Sequence, residues 1–336
     1  MIYWLFPLVV VFSLAMTALL RRYALARSII DIPNARSSHT LPTPRGGGVA
    51  IVAAFLLVQP LLAWAGLLDN AALMALFGSG LLVAIIGFMD DHGHIAARWR
   101  LLGHFCAAGW ALAWIGGLPP LQVFGSTVSL GWLGHVLAAL YLVWMLNLYN
   151  FMDGIDGIAS VEAITACLGA CLLYWLSGAF TLIWAPLLLA GAVVGFLFWN
   201  FPPARIFMGD AGSGFLGMVL GVLTLIAAWQ SSVLLWAWLI LLGVFVVDAT
   251  YTLLRRLLRG DKVYEAHRSH AYQFASRRHR RHLPVTLGVL VINLFWLLPI
   301  ATAVVLQRVD GLLGLLIAYL PLLVLALFYR AGERES

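Results

Sequence analysis

The sequence predicts an all-α, polytopic integral membrane helix bundle with about 11 transmembrane helices. Composition, and the distribution of apolar and basic residues along the chain, predict it. Hydrophobic residues fill 63% of the 336 positions and charged residues only 10%, with a mean hydropathy of +0.97. That balance describes a chain of bilayer-spanning helices and excludes a soluble two-domain protein. The apolar residues fall in runs close to the roughly 20 residues that a spanning helix needs. The basic residues crowd into alternate connections between those runs, as expected when positive loops stay inside.

The runs cover 2–20, 47–66, 72–89, 101–117, 133–150, 158–177, 180–199, 212–230, 232–254, 284–306 and 311–329. The first has no basic residue ahead of it and is followed by Arg21 and Arg22, the reverse of a signal peptide's charge order. It is expected to be retained with its N-terminus periplasmic. Alternate threading places loops 21–46, 90–100, 150–157, 200–211 and 255–283, with the C-terminus, on one side. Of the 20 Lys and Arg residues only Arg308 falls on the other, so the first side is read as cytoplasmic.

Among the outer connections only 118–132, with its Pro pair, has room for a small hairpin or interfacial segment. No repeat, heptad array or low-complexity linker divides the chain, so residues 1–336 are read as a single domain. The net charge of +6 is spread so that it orients helices and touches anionic membrane lipids; no nucleic-acid partner is expected. Cys106, Cys167 and Cys171 all lie in apolar runs and are read as reduced and buried.

Chemistry is expected at the cytoplasmic face, in the five loops above, which are read as forming one active site. Neither a GxxxxGK[ST] loop nor a strand-flanked GxGxxG is present, so a bound nucleotide would be held by other means. The first loop reads DIPNARSSHTLPTPRGGG from Asp31, where prolines stiffen the chain and His39 and Arg45 are candidate anion contacts. The second holds adjacent Asp90 and Asp91, which cannot both ionise freely without a nearby cation; a salt bridge to Arg98 at a solvated helix end is the plainer alternative.

The third stretch, NLYNFMDGIDGIAS, sets Asn147, Asn150, Asp153 and Asp156 at every third position. On a continuous helix the first three share an arc of about 120° and Asp156 faces away. A break at Gly154 or Gly157 lets both carboxylates converge. In the fourth, NFPPARIFMGDAGSG, Asp210 opens the eighth run, where a helix N-terminus favours phosphate. Together Asp153, Asp156 and Asp210 make the oxygen-rich set that Mg²⁺ prefers, with water and substrate phosphate filling the remaining positions. The fifth loop gathers thirteen Arg, Lys and His residues, among them His267, Arg268 and His270, against Asp261 and Glu265. It is a strong local field for a polyanion; the run Arg277 to His282 is read as facing lipid.

The order DIPNARSSHTLPTPRGGG, Asp90-Asp91, NLYNFMDGIDG, NFPPARIFMGDAGS and a His-containing fifth loop resembles the polyprenyl-phosphate N-acetylaminosugar-1-phosphate transferases over nearly the whole chain. The resemblance implies an enzyme of the bacterial inner membrane, with ten or eleven helices, that moves an amino-sugar 1-phosphate from a UDP-N-acetyl amino sugar to undecaprenyl phosphate and releases UMP. It implies Mg²⁺, with Mn²⁺ as the alternative ion, and is compatible with a homodimer. By the same resemblance Asp210 is a metal ligand with Asp156 or Asn150 as partner. Asp90, Asp91 and Asp153 are candidates for positioning or deprotonating the lipid phosphate. Asn147 joins the substrate-binding set, Asn200 and Phe207 lie near the uracil, and His267, Arg268 and His270 near the diphosphate and sugar.

The spacing His267-Arg-Ser-His270 departs from the adjacent histidines of the phospho-MurNAc-pentapeptide branch, which stays as the alternative. It is more similar to transferases that begin O-antigen chains with sugars such as FucNAc or QuiNAc. The rival of another class is an ion-coupled secondary transporter, which would hold its carboxylates near mid-membrane within inverted repeats. Here they sit at helix ends facing one side.

Overall fold

The computed structural model describes residues 2–33, 38, 41–93, 95–261 and 267–334. Long apolar runs with their breakers at the ends become helices: α1 (Leu5–Ala26), α2 (Val49–Trp64), α3 (Asn70–His92), α4 (Ala97–Ile115), α5 (Trp132–Met152), α6 (Ile158–Ser177), α7 (Trp184–Asn200), α8 (Asp210–Gln230), α9 (Ser232–Leu241), α10 (Gly243–Leu258), α11 (Ala271–His279), α12 (Leu283–Ile292), α13 (Leu298–Val305) and α14 (Gly311–Phe328). A π turn, Asn293–Leu297, joins α12 to α13 in one continuous stretch, Leu283–Val305.

Every apolar run is helical, but not every one is a spanning helix by length and composition. Among the described residues eight helices are long and apolar enough to cross a membrane, nine if α9 and α10, which meet at 72°, count as one span. Helix α2 has only 16 residues, about 24 Å of rise against a hydrocarbon core of about 30 Å. Helix α4 carries Arg98 and Arg100 inside its first turn. The protein is thus a multi-pass, mostly helical membrane protein, and the fourth run departs from the plain apolar span that hydropathy suggests.

Helix α8 is the axis of the bundle. It packs against α2, α3, α5 and α9, and 94% of its apolar window is buried, compared with 22% for α14. Small residues allow that. A Cβ added to Gly48 would stand 2.5 Å from the Gly212 Cα, so two glycines set how closely the start of α2 approaches α8. The segment before α2 forms a two-residue pairing of β1 (Ile30–Asp31) with β2 (Thr43–Pro44) and continues into hydrogen bonds from Gly47 N to Phe207 O (2.9 Å) and Gly48 N to Met208 O (2.8 Å). The first and fourth predicted loops are thereby stitched together.

At the opposite end 118–132 forms the small hairpin, β3 (Leu121–Val123) with β4 (Ser126–Val128). Its Phe124 N–H donates to Asp310 (2.8 Å), and Trp236 donates to the Gln122 carbonyl (3.1 Å), tying α9 and the start of α14 to it. All three cysteines are free; Cys167 is buried, but Cys106 is exposed on the outer surface of α4, which corrects its assignment to the interior.

Candidate active site

Helix α5 stops at Met152 and α6 starts at Ile158, so the Asn-Asp row does leave helical geometry where its glycines stand. Gly157 takes φ +74°, open to glycine at little cost, and turns the chain so that Asp153 and Asp156 face one cavity while Asn150 still projects from the last turn of α5. Asp156 does not cap its own helix. Its carboxylate accepts from the Ala204 N–H (3.0 Å) and stands 3.1 Å from His282 Nδ1, and its carbonyl accepts from Thr286 (2.8 Å). One residue therefore joins the third, fourth and fifth loops.

Asp210 opens α8. Asn150 Nδ2 donates to its Oδ1 (2.9 Å) and to Ser213 Oγ (3.0 Å). The start of α8 is not an open phosphate cradle, however. Asp91 accepts from the N–H groups of Asp210 (3.1 Å) and Ala211 (3.2 Å), and Gly209 O accepts from those of Gly212 and Ser213, both 3.1 Å. All four amides that a helix leaves unpaired at its start are occupied, and the favourable dipole end already faces a carboxylate.

Asp90 accepts from Ile95 N (3.0 Å) and is paired with Arg100, whose Nη1 also lies 4.0 Å from Asp210 Oδ2. The arginine partner is Arg100, not Arg98, which instead stacks on Trp99. Asp90 and Asp210 also meet through their side chains. Arg45 donates to the Asp91 carbonyl.

These groups surround a cavity of about 390 Å³. All five predicted loops contribute to it: Asp31 and Arg45; Asp91; Asn150, Asp153 and Asp156; Asn200, Phe207 and Asp210; Gln273 and His282. A second, wider space of about 600 Å³ adjoins it, sharing Ser38, Asp156, Phe207 and His282 and edged by Arg277, Arg280 and Arg281. A run read as lipid-facing thus borders a groove that opens toward the carboxylates.

Other predicted positions stand elsewhere. Asn200 reaches the cavity wall, but its amide is used at both ends, accepting from Gly157 N and donating to Ile206 O, each 3.0 Å. Asn147 donates to the Val143 carbonyl within α5 (2.7 Å) and lines a smaller space behind the cavity. His267, Arg268 and His270 are not among the residues lining either large space. His270 is buried at the start of α11 and stacks on His267 with ring centroids 4.9 Å apart. His39 lies outside the described residues.

Charge follows this packing. Burial, then the negative charges of Asp210, Asp91 and Asp156, push the Asp153 carboxyl well above the ordinary carboxylate value. Burial opposes protonation of His282, but the Asp156 hydrogen bond and charge outweigh it and raise the imidazole above its usual value. His267 is pushed down to about 3 by burial and by the charges of His270 and Arg256, so it is a neutral ring at neutral pH and adds nothing to the basic field.

Sequence reasoning missed Asp248, Arg100, Gln273, His282 and Ser213. Asp248, buried within α10, accepts from Ala271 N (2.9 Å) and Tyr272 N (3.0 Å) and so fixes the start of α11. A lone carboxylate inside an apolar run was the available signal. His282 was visible only as the end of a basic run, and nothing in sequence spacing pairs it with Asp156.

Residues 73–228 match the family described as Glycosyl transferase family 4. Over 314 residues the chain is 28% identical to a Bacillus subtilis protein described as "Probable undecaprenyl-phosphate N-acetylglucosaminyl 1-phosphate transferase", covering 91% of this chain and 85% of the relative. It is 32% identical over 289 residues to the decaprenyl-phosphate N-acetylglucosaminephosphotransferase of Mycolicibacterium smegmatis, covering 75% and 71%. It is 33% identical over 245 residues to the phospho-N-acetylmuramoyl-pentapeptide-transferase of Chlamydia muridarum, covering 63% and 68%.

Proposed function

The chain belongs to glycosyl transferase family 4, and from that premise we propose that it transfers an N-acetylated amino-sugar 1-phosphate from a UDP-sugar to undecaprenyl phosphate, giving undecaprenyl-diphosphate-sugar and UMP. The observation that carries the reading is the convergence of five loops on one carboxylate-rich cavity. It is bordered by Arg45, His282 and the groove arginines, which suits two phosphorylated substrates meeting at one end of a bundle. The names of the relatives support the polyprenyl phosphate acceptor and the amino-sugar donor. By the distribution of basic residues the cavity faces the cytoplasm of a bacterial inner membrane, where UDP-sugars are supplied.

Mg²⁺, or Mn²⁺ in its place, fits this donor set. Asp153 is driven toward its neutral form by burial and by three neighbouring carboxylates, a crowding that a divalent cation relieves. Mg²⁺ takes one or two carboxylates from a protein and completes its shell from water and phosphate. Asp210 and Asn150, already in contact, would hold it; Asp156 is engaged with His282 and Ala204. When bound, the ion neutralises charge on the diphosphate oxygens.

The chain's own residues set the rest. The phosphate oxygen of the lipid attacks the β-phosphorus of the UDP-sugar, the bond to the α-phosphate oxygen breaks, and UMP leaves with that oxygen. Arg45 and His282 counter the incoming charge. Of the three candidate bases, Asp90 is committed to Arg100 and Asp91 to α8, so Asp153 is the residue placed to hold a residual proton.

The reading places the product at the start of an O-antigen or related envelope polysaccharide. Membranes containing the protein should convert radiolabelled UDP-GlcNAc or UDP-FucNAc, with undecaprenyl phosphate and Mg²⁺, into a labelled lipid. UDP-MurNAc-pentapeptide in a parallel tube tests the peptidoglycan alternative. Asp210→Asn should abolish transfer without loss of folded protein. Labelled lipid from none of the donors overturns the reading; full turnover by Asp210→Asn overturns the metal assignment.

A further inference from the structure

Asn150 and Asp210 line two spaces, the main cavity and a small one behind it enclosed by α3, α4, α5 and α8. They therefore form the partition between the two. The small space measures about 20 Å³, and its other polar lining is Arg100, His104 and Asn147. That volume accommodates a single water, which needs two to four polar partners to be held, as this lining supplies.

His104 projects from α4 and is 7% exposed. Among the described residues its Nδ1 has no hydrogen-bond partner. A buried ring nitrogen without a partner costs free energy that one bridging water returns. Nothing in the reaction scheme above uses His104, which shares the lining of the small space with Arg100, Asn147, Asn150 and Asp210.

We propose that His104 is a positioning residue for Asp210, acting through one ordered water seated between His104 Nδ1 and the Asp210 carboxylate. Asn150 Nδ2 donates to Oδ1 of that carboxylate, and Arg100 approaches Oδ2. The water adds a constraint from behind, so that the side chain keeps the rotamer that aims it into the main cavity. Groups that orient a metal-binding or catalytic carboxylate in this way typically carry about 10- to 100-fold in affinity or activity.

The kinetic part of the test rests on the transferase reading; the structural part does not. An experimental structure that shows ordered water should place one within hydrogen-bond reach of His104 Nδ1, and the same position should be lost in His104→Phe. His104→Phe should melt close to the parent protein, with kcat lowered about 10-fold or more and KM for the UDP-sugar little changed. His104→Asn, which keeps a polar atom near the place of Nδ1, should recover most of the loss, whereas His104→Gln, which extends toward Nε2, should not. The idea is overturned by a structure without that water, by wild-type kcat in His104→Phe, or by Asn and Phe variants that are equally slow and equally destabilised. If the parent protein turns over no UDP-sugar, the transferase reading fails while the water position still decides this one.

Discussion

Gly154→Ala isolates the fit between the third and fifth loops. The new Cβ would fall against the Tyr272 hydroxyl, closer than any real contact, with Tyr272 Cζ at 3.1 Å and Gln273 Nε2 at 3.3 Å. Ordinary contact begins near 3.4 Å, so the Tyr272 side chain must retreat by roughly 1 Å, a misplacement that can cost about 10²-fold in rate. The ring is buried and its hydroxyl donates to the Phe151 carbonyl (2.9 Å). Retreat therefore breaks that bond, worth about 1 kcal/mol, and strains a packed wall by about 1–3 kcal/mol. Backbone strain does not contribute, because Gly154 is not among the glycines with positive φ. The expected outcome is a lowered melting temperature in detergent and a large loss of kcat, since Gln273 shares the displaced wall. Tyr272→Phe alone should cost little more than the one hydrogen bond, and in the double variant it should remove the clash and restore part of both losses. A coupling of at least about 0.5 kcal/mol between the two sites is required; strictly additive penalties, or a Gly154→Ala protein indistinguishable from wild type, would refute the reasoning.

Two further outcomes follow from the pairings at the cavity. Asp91→Ala removes the acceptor for two amides at the start of α8 and should destabilise the fold by about 1–2 kcal/mol, with Asp91→Asn intermediate; unchanged thermal unfolding of the alanine variant counts against the capping role. His282 has its folded pKa raised above the ordinary 6.5, so the stability it contributes is fully present below that value and is lost as pH rises through the raised one. Melting measured without divalent ions should therefore decline above about pH 6.5 more steeply in the wild type than in His282→Gln, and equal slopes would exclude the Asp156 pair as the cause.

The helices and the end of the bundle that carries the site were legible because both depend on single-residue properties summed over a segment. Apolar runs predict the helices, and polar clusters at their ends predict the loops that meet at the cavity. Asp210, Asn150, Asp153 and Asp156 were legible as polar residues that an apolar helix end does not need. Their partners were not, because pairing joins residues far apart in the chain: Asp91 reaches the start of α8 across 120 residues, and Asp156 meets His282 across 126. The fifth loop was only partly legible for a different reason. The resemblance puts His267 and His270 near the diphosphate and sugar; in the fold Asp248, in the preceding apolar run, accepts from the first amides of α11, and His270 at its start is buried. Gln273 and His282 reach the cavity instead.

The axial position of α8 gives the two sides of the cavity unequal support. Asp210 belongs to the most enclosed helix in the molecule, braced on several sides and clamped by Asp91 at its first turn. Gln273 and His282 sit on α11 and at the start of α12, beside α14 and the stretch Leu283–Val305, whose apolar windows are only 22% and 33% buried. The central carboxylate is thus carried by the better supported side, and loosening the packing of α11 should disturb Gln273 and His282 before it disturbs Asp210.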